Sequence, residues 1–153
     1  MTTQLSAEPL TDEAFAPFGA VLRATPDGGP FSDAEGRLDL SAGTPRFYLM
    51  QLADKPARFA GITRHRQVTQ CLSAVGGGSW LIAVAPPDVV PTPADVRAFV
   101  VPGDVALLLG KGTWHAGPFF DPPEMSFVNL ELADTNVVDH DTHRFAEPLD
   151  VVR

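Results

Sequence analysis

Proline and glycine constrain this chain more than any other feature. Fifteen prolines and 13 glycines are spread through 153 residues, and they break the apolar stretches into short runs such as WLIAVAP and VALLLG. A proline inside a helix or a central strand removes a backbone donor, and both residue types favour turns. The pattern predicts many short elements joined by tight turns, and therefore a β rather than a helical architecture. The length suits a single domain, 1–153, with one sizeable core. Composition is ordinary for a globular protein, with 44% hydrophobic and 20% charged residues.

LTDEAFAPFG (10–19) predicts one short helix, with Thr11 as N-cap, Asp12 and Glu13 in the first turn and Gly19 as the stop. Residues 24–45, rich in Gly, Pro, Asp and Ser, predict a long loop with room for one short strand. RFYLMQLA (46–53) has strand composition. FAGITRHRQ predicts a strand carrying Arg64, His65 and Arg66, followed by a strand through QCLSAV. A GGG turn then leads into WLIAVAP, which is apolar in both phases and so is expected to be buried on both faces. Pro-Gly-Asp splits the next two strands, and TWHAGPF and MSFVNLELA bring the number to about eight. The last of these sets Phe127, Asn129 and Glu131 on one face against Val128, Leu130 and Leu132. The tail, 134–153, reads as polar and irregular. The expected fold is all-β: a double-sheet barrel of the jelly-roll type with a short N-terminal helix and an open mouth for a ligand.

A net charge of −8 argues against a nucleic-acid partner, which needs clustered cations. It leaves room for a small anionic ligand held by local Arg or Lys. The lone cysteine, Cys71, rules out an internal disulfide and a cysteine zinc cluster, and its apolar setting predicts an inert buried thiol. MTTQLSAEPL lacks the features of a signal peptide, and no apolar run has the length of a membrane span, so a cytoplasmic protein with no membrane partner is expected.

Four histidines, at 65, 115, 140 and 143, are the first candidates for chemistry. His115 lies in GKGTWHAGPF, where glycines on either side of Trp114-His115 allow an abrupt change of direction that aims a side chain at a barrel mouth. The plain alternative is a core histidine bonded to backbone. His65 alternates with Arg64 and Arg66, so it faces either inward, as base or ligand, or out to solvent. His140 and His143, in HDTH, would share a face only on a helix, and the surrounding aspartates suggest a solvated tail. Glu131 is the best carboxylate candidate, with an exposed strand residue as its alternative. GKGT lacks the earlier glycine of a phosphate-binding loop and carries no nucleotide signal.

PLTDEAFAPFG, RHRQVTQCL with WLIAVAPPD, and VRAFVVPGDVALLLGKGTWHAGPF, in this order over most of 8–135, resemble the ureidoglycolate lyase (ureidoglycolate hydrolase) family of the cupin superfamily. The resemblance implies cleavage of ureidoglycolate to glyoxylate and urea in allantoin (purine) catabolism, by a homodimer with a site at the barrel mouth. It makes His65, Gln70 and His115 the site candidates, with Glu131 as an acidic partner and Arg64 and Lys111 as possible carboxylate binders. Where the family commonly has a second histidine after Trp-His, this chain has Ala116-Gly117-Pro118. His115 is the expected base, with His65 or Glu131 as the acid. Metal-binding cupins present H-x-H and a Glu; here Gln67 and Gln70 stand in those places. No obligatory metal is expected, with His65, Gln70 and His115 as a weak divalent site in reserve. Two other readings remain open: a metal-dependent cupin acting on another small acid, and a cupin that only binds a metabolite.

Overall fold

The computed structural model describes residues 2–153. Its eleven strands are β1 (Thr3–Pro9), β2 (Gly19–Leu22), β3 (Pro45–Ala53), β4 (Arg58–Arg64), β5 (Gln70–Val75), β6 (Gly77–Ala85), β7 (Arg97–Gly103), β8 (Ala106–Leu109), β9 (Trp114–Phe119), β10 (Glu124–Leu132) and β11 (Asp141–Val152). Six of them close into a barrel in the order β1-β11-β4-β9-β6-β7, and five form a second sheet, β2-β8-β5-β10-β3. The fold is the all-β cupin-type jelly roll expected from the sequence.

The eight expected strands correspond to β3–β10. Strand β6 shows why its sequence is apolar in both phases. Trp80, Ile82 and Val84 enter one core cluster with Phe99, Leu107 and Phe127, while Leu81, Ala83 and Ala85 enter a second with Ile62, Trp114 and Leu149. The strand is a wall shared by two cores.

Helix α1 is shorter than the 10–19 reading. It spans Asp12–Phe15, capped by Thr11, whose side chain accepts the Ala14 N–H. Gly19 does not end a helix; it opens β2, with its φ at +157° and the Leu108 carbonyl where a Cβ would sit. Residues 24–44 form no strand.

The tail is the main correction. It is ordered, with a short helix α2 (Thr135–Val138) and then β11, which lies between β1 and β4. Phe145, Leu149 and Val151 of β11 are buried in the second core. A register shift between Arg144 and Leu149 breaks the two-residue alternation, so the apolar residues give no clean strand pattern. Strand β1, parallel to both β11 and β7, has only modestly apolar residues and was likewise illegible.

Candidate functional site

The register of β10 builds the floor of the site. Asn129 pairs across with Tyr48 of β3 and Leu72 of β5, and Glu131 pairs with Arg46. Phe127, Asn129 and Glu131 are all buried, while Val128 and Leu130 are only partly so. The polar face of this strand is thus its inward face, the reverse of an ordinary half-buried strand.

On the opposite wall, His115 of β9 is paired with Thr63 of β4. Just beyond β4 the chain turns, and the Gly112 N–H donates to the His65 carbonyl at 2.7 Å. Gly112 has a φ of +79°, a left-handed conformation that favours glycine. That contact ties the GKGT turn to the His65 turn and brings the two imidazoles to 5.2 Å between centroids.

These groups enclose a cavity of about 170 Å³, smaller than the roughly 300–1,000 Å³ typical of drug-sized ligand sites. It suits a small metabolite. His65, Gln70, His115 and Glu131 all line it, joined by His140 and Lys55.

Each imidazole is oriented by a backbone carbonyl. His65 Nδ1 lies 2.7 Å from the Asp139 carbonyl, and His115 Nδ1 lies 3.1 Å from that of Thr113. A carbonyl only accepts, so each ring carries a proton on Nδ1. Burial, reinforced by the neighbouring His65 and His140, lowers the His115 pKa to about 4.

Burial acts in the opposite sense on Glu131, 2% exposed, and raises its pKa despite the opposing influence of His65, Arg46, Asn129 and Tyr48. Gln70 Nε2 donates to Asn129 Oδ1 at 3.1 Å and to Glu131 Oε2 at 3.3 Å. Gln70 Oε1 and Glu131 Oε1 are buried without a hydrogen-bond partner. Arg46 approaches the latter only to 3.9 Å.

Arg64 and Lys111 are not part of the cavity wall. Arg64 is held by Asp141 and the Pro87 carbonyl, with its guanidinium 4.4 Å from the Trp114 ring centre. Lys111 is paired with Asp39, and its ammonium holds that carboxyl well below the usual range. The lysine at the cavity is Lys55.

His140 and His143 part company. His140 reaches the cavity with its ring 5.5 Å from His65, whereas His143 packs between Trp114 and Phe145. His140 is exposed, as the solvated reading expects, yet it lines the cavity, while His143 is only partly buried. Asp139, also unread in the sequence, accepts the Arg66 and Gln67 N–H groups at 2.8 Å each while its carbonyl orients His65. Cys71 lies outside the cavity, half-buried, with burial pushing its thiol up and keeping it protonated.

The ureidoglycolate lyase family model matches residues 47–152. The chain belongs to the ureidoglycolate lyase family. It is 31% identical over 134 residues to ureidoglycolate lyase 1 of Rhizobium meliloti (strain 1021), covering 75% of this chain and 74% of that protein. Against the ureidoglycolate lyase of Azotobacter vinelandii (strain DJ / ATCC BAA-1303), identity is 28% over 150 residues, covering 89% and 90%. Against that of Pseudomonas fluorescens (strain Pf0-1) it is 32% over 124 residues, covering 72% and 74%. The family match includes every cavity residue named above.

Proposed function

We propose that this chain cleaves ureidoglycolate to glyoxylate and urea in the cavity between His115 and Glu131. One observation carries the assignment within this family. The same desolvation makes His115 a neutral imidazole and favours a protonated Glu131, so a base and an acid face one metabolite-sized space. Separating protonation states by environment is how enzymes assign acid and base roles.

Ureidoglycolate is a carbinolamide. His115 Nε2 takes the hydroxyl proton, the oxygen lone pair forms the glyoxylate carbonyl, and the C–N bond breaks. Glu131 gives its proton to the departing urea nitrogen. With Gln70 donating to Oε2, the proton of Glu131 sits on Oε1. Lys55 is the cation placed to hold the substrate carboxylate, and His65 and His140 complete the polar wall.

We further propose that no metal is required. Among the described residues no three His, Cys, Asp or Glu side chains group to hold one. The reserve set of His65, Gln70 and His115 offers two imidazoles and a neutral amide, with no anionic donor to offset a cation's charge. A place in allantoin catabolism, a cytoplasmic location and a homodimer complete the proposal. No described helix is long and apolar enough to cross a membrane. For the dimer, Phe47 and Leu49 of edge strand β3 stand 71% and 66% exposed, beside the partly buried Val128 and Leu130 of β10. Such an apolar patch suits association.

The test is glyoxylate release from ureidoglycolate by EDTA-treated protein, alongside His115→Ala. Metal-free release that falls roughly 10²–10⁴-fold in the variant is expected for loss of a general base. No release, with or without added divalent metals, overturns the assignment in favour of another small acid or simple metabolite binding.

A further inference from the structure

We infer that Gln70 reads the terminal amino group of the ureido moiety, so that the urea end of the ligand lies on the floor formed by β5 and β10. The inference rests on the proposed reaction and adds the substrate's orientation and the atom that selects it.

Gln70 is 8% exposed, and its amide is locked by its neighbours. Both hydrogens of Nε2 are occupied, one by Asn129 Oδ1 and the other by Glu131 Oε2. Asn129 is itself oriented by its Nδ2, which donates to the Tyr48 hydroxyl at 3.2 Å and to Met50 Sδ, an acceptor only, at 3.8 Å. Turning the Gln70 amide over would set its oxygen against the Asn129 carbonyl oxygen. The chain Tyr48–Asn129–Gln70–Glu131 therefore leaves Gln70, which lines the cavity, with one unsatisfied buried atom, Oε1.

An orphaned buried acceptor leaves its desolvation uncompensated, and a ligand that relieves it must bring a donor. Ureidoglycolate carries three kinds of donor. The hydroxyl goes to His115, and the internal nitrogen is the one Glu131 protonates. The terminal NH2 remains. Because Gln70 and Glu131 are hydrogen-bonded neighbours, a ureido group laid over both presents its internal nitrogen to one and its terminal nitrogen to the other.

Two stable ligands test this. Ureidoacetate is the substrate without its hydroxyl, and N-acetylglycine is the same molecule with a methyl in place of the terminal amine. Binding is measured by calorimetric titration of the wild-type protein and of Gln70→Met. The wild type is expected to prefer ureidoacetate by roughly tenfold or more, since a site built to bond an N–H penalises the analogue lacking it. Gln70→Met should bind N-acetylglycine with little change and lose most of the preference. If the variant does not fold, the wild-type preference stands as the test.

Equal wild-type affinity for the two ligands overturns the inference, as does a preference that persists in Gln70→Met. Glyoxylate release together with equal affinities would refute only the role of Gln70. Failure of both ligands to bind, with no glyoxylate release, would remove the underlying reaction as well.

Discussion

At the scale of single residues, burial sets the chemistry. His115 stays unprotonated in the folded chain down to about pH 4, whereas its ordinary value is 6.5. Between those values the unfolded chain binds a proton that the folded chain does not, so this residue's contribution to stability falls as pH drops through the window. His115→Gln is expected to flatten the dependence of thermal midpoint on pH between about 4 and 6.5; an unchanged slope would mean that the imidazole is not desolvated. Glu131 behaves in the opposite way. Its raised pKa means that the folded chain keeps a proton the unfolded chain releases, so stability is lost as pH rises above the ordinary carboxylate range. Glu131→Gln should therefore raise the melting temperature at pH 8 while lowering kcat. A variant both less stable and fully active would contradict both roles.

At the scale of elements, the C-terminal segment does more than its polar sequence suggests. Asp139, between α2 and β11, holds the 65–67 turn by two carboxylate bonds and one carbonyl bond, and Asp141 pairs with Arg64 and Arg66 at 3.1 Å each. Asp139→Ala is expected to cost about 1.5–3 kcal/mol, the range for hydrogen bonds to a charged group, read by chemical denaturation. Leu149 of β11 is fully buried, and Leu149→Ala should cost about 2–5 kcal/mol by the same measurement. A near-neutral result at Leu149 would mean that β11 is dispensable. None of this was legible beforehand, because a register shift hides the β11 alternation and Asp139 acts on residues more than 70 positions away. Strands β3–β10 were legible because turn residues bound each run, although apolar Phe47 and Leu49 of β3 face outward and polar Asn129 and Glu131 of β10 face inward.

At the scale of the molecule, two sheets of different character meet around one cavity. The barrel supplies Thr63 of β4 and His115 of β9, the second sheet supplies Gln70, Asn129 and Glu131, and His65 comes from the turn after β4. That second sheet also presents Phe47 and Leu49 outward. Phe47→Glu with Leu49→Glu is expected to shift the proposed dimer to monomer in sedimentation velocity, with monomer fold and cavity intact. A dimer that survives both charges would place the interface elsewhere.

The sequence by itself determined the β class and the turn-bounded strands, because turn chemistry and side-chain alternation are local properties; it singled out His65, His115 and Glu131 as residue types suited to chemistry, and Gln70 through the family resemblance. It did not determine which cation lines the cavity. Arg64 and Lys111 flank the site in sequence, yet Asp141 and Asp39 hold them away, and Lys55 and His140 arrive from distant strand ends. Tertiary structure decided this, since ion pairing and convergence depend on which chain segments meet in space.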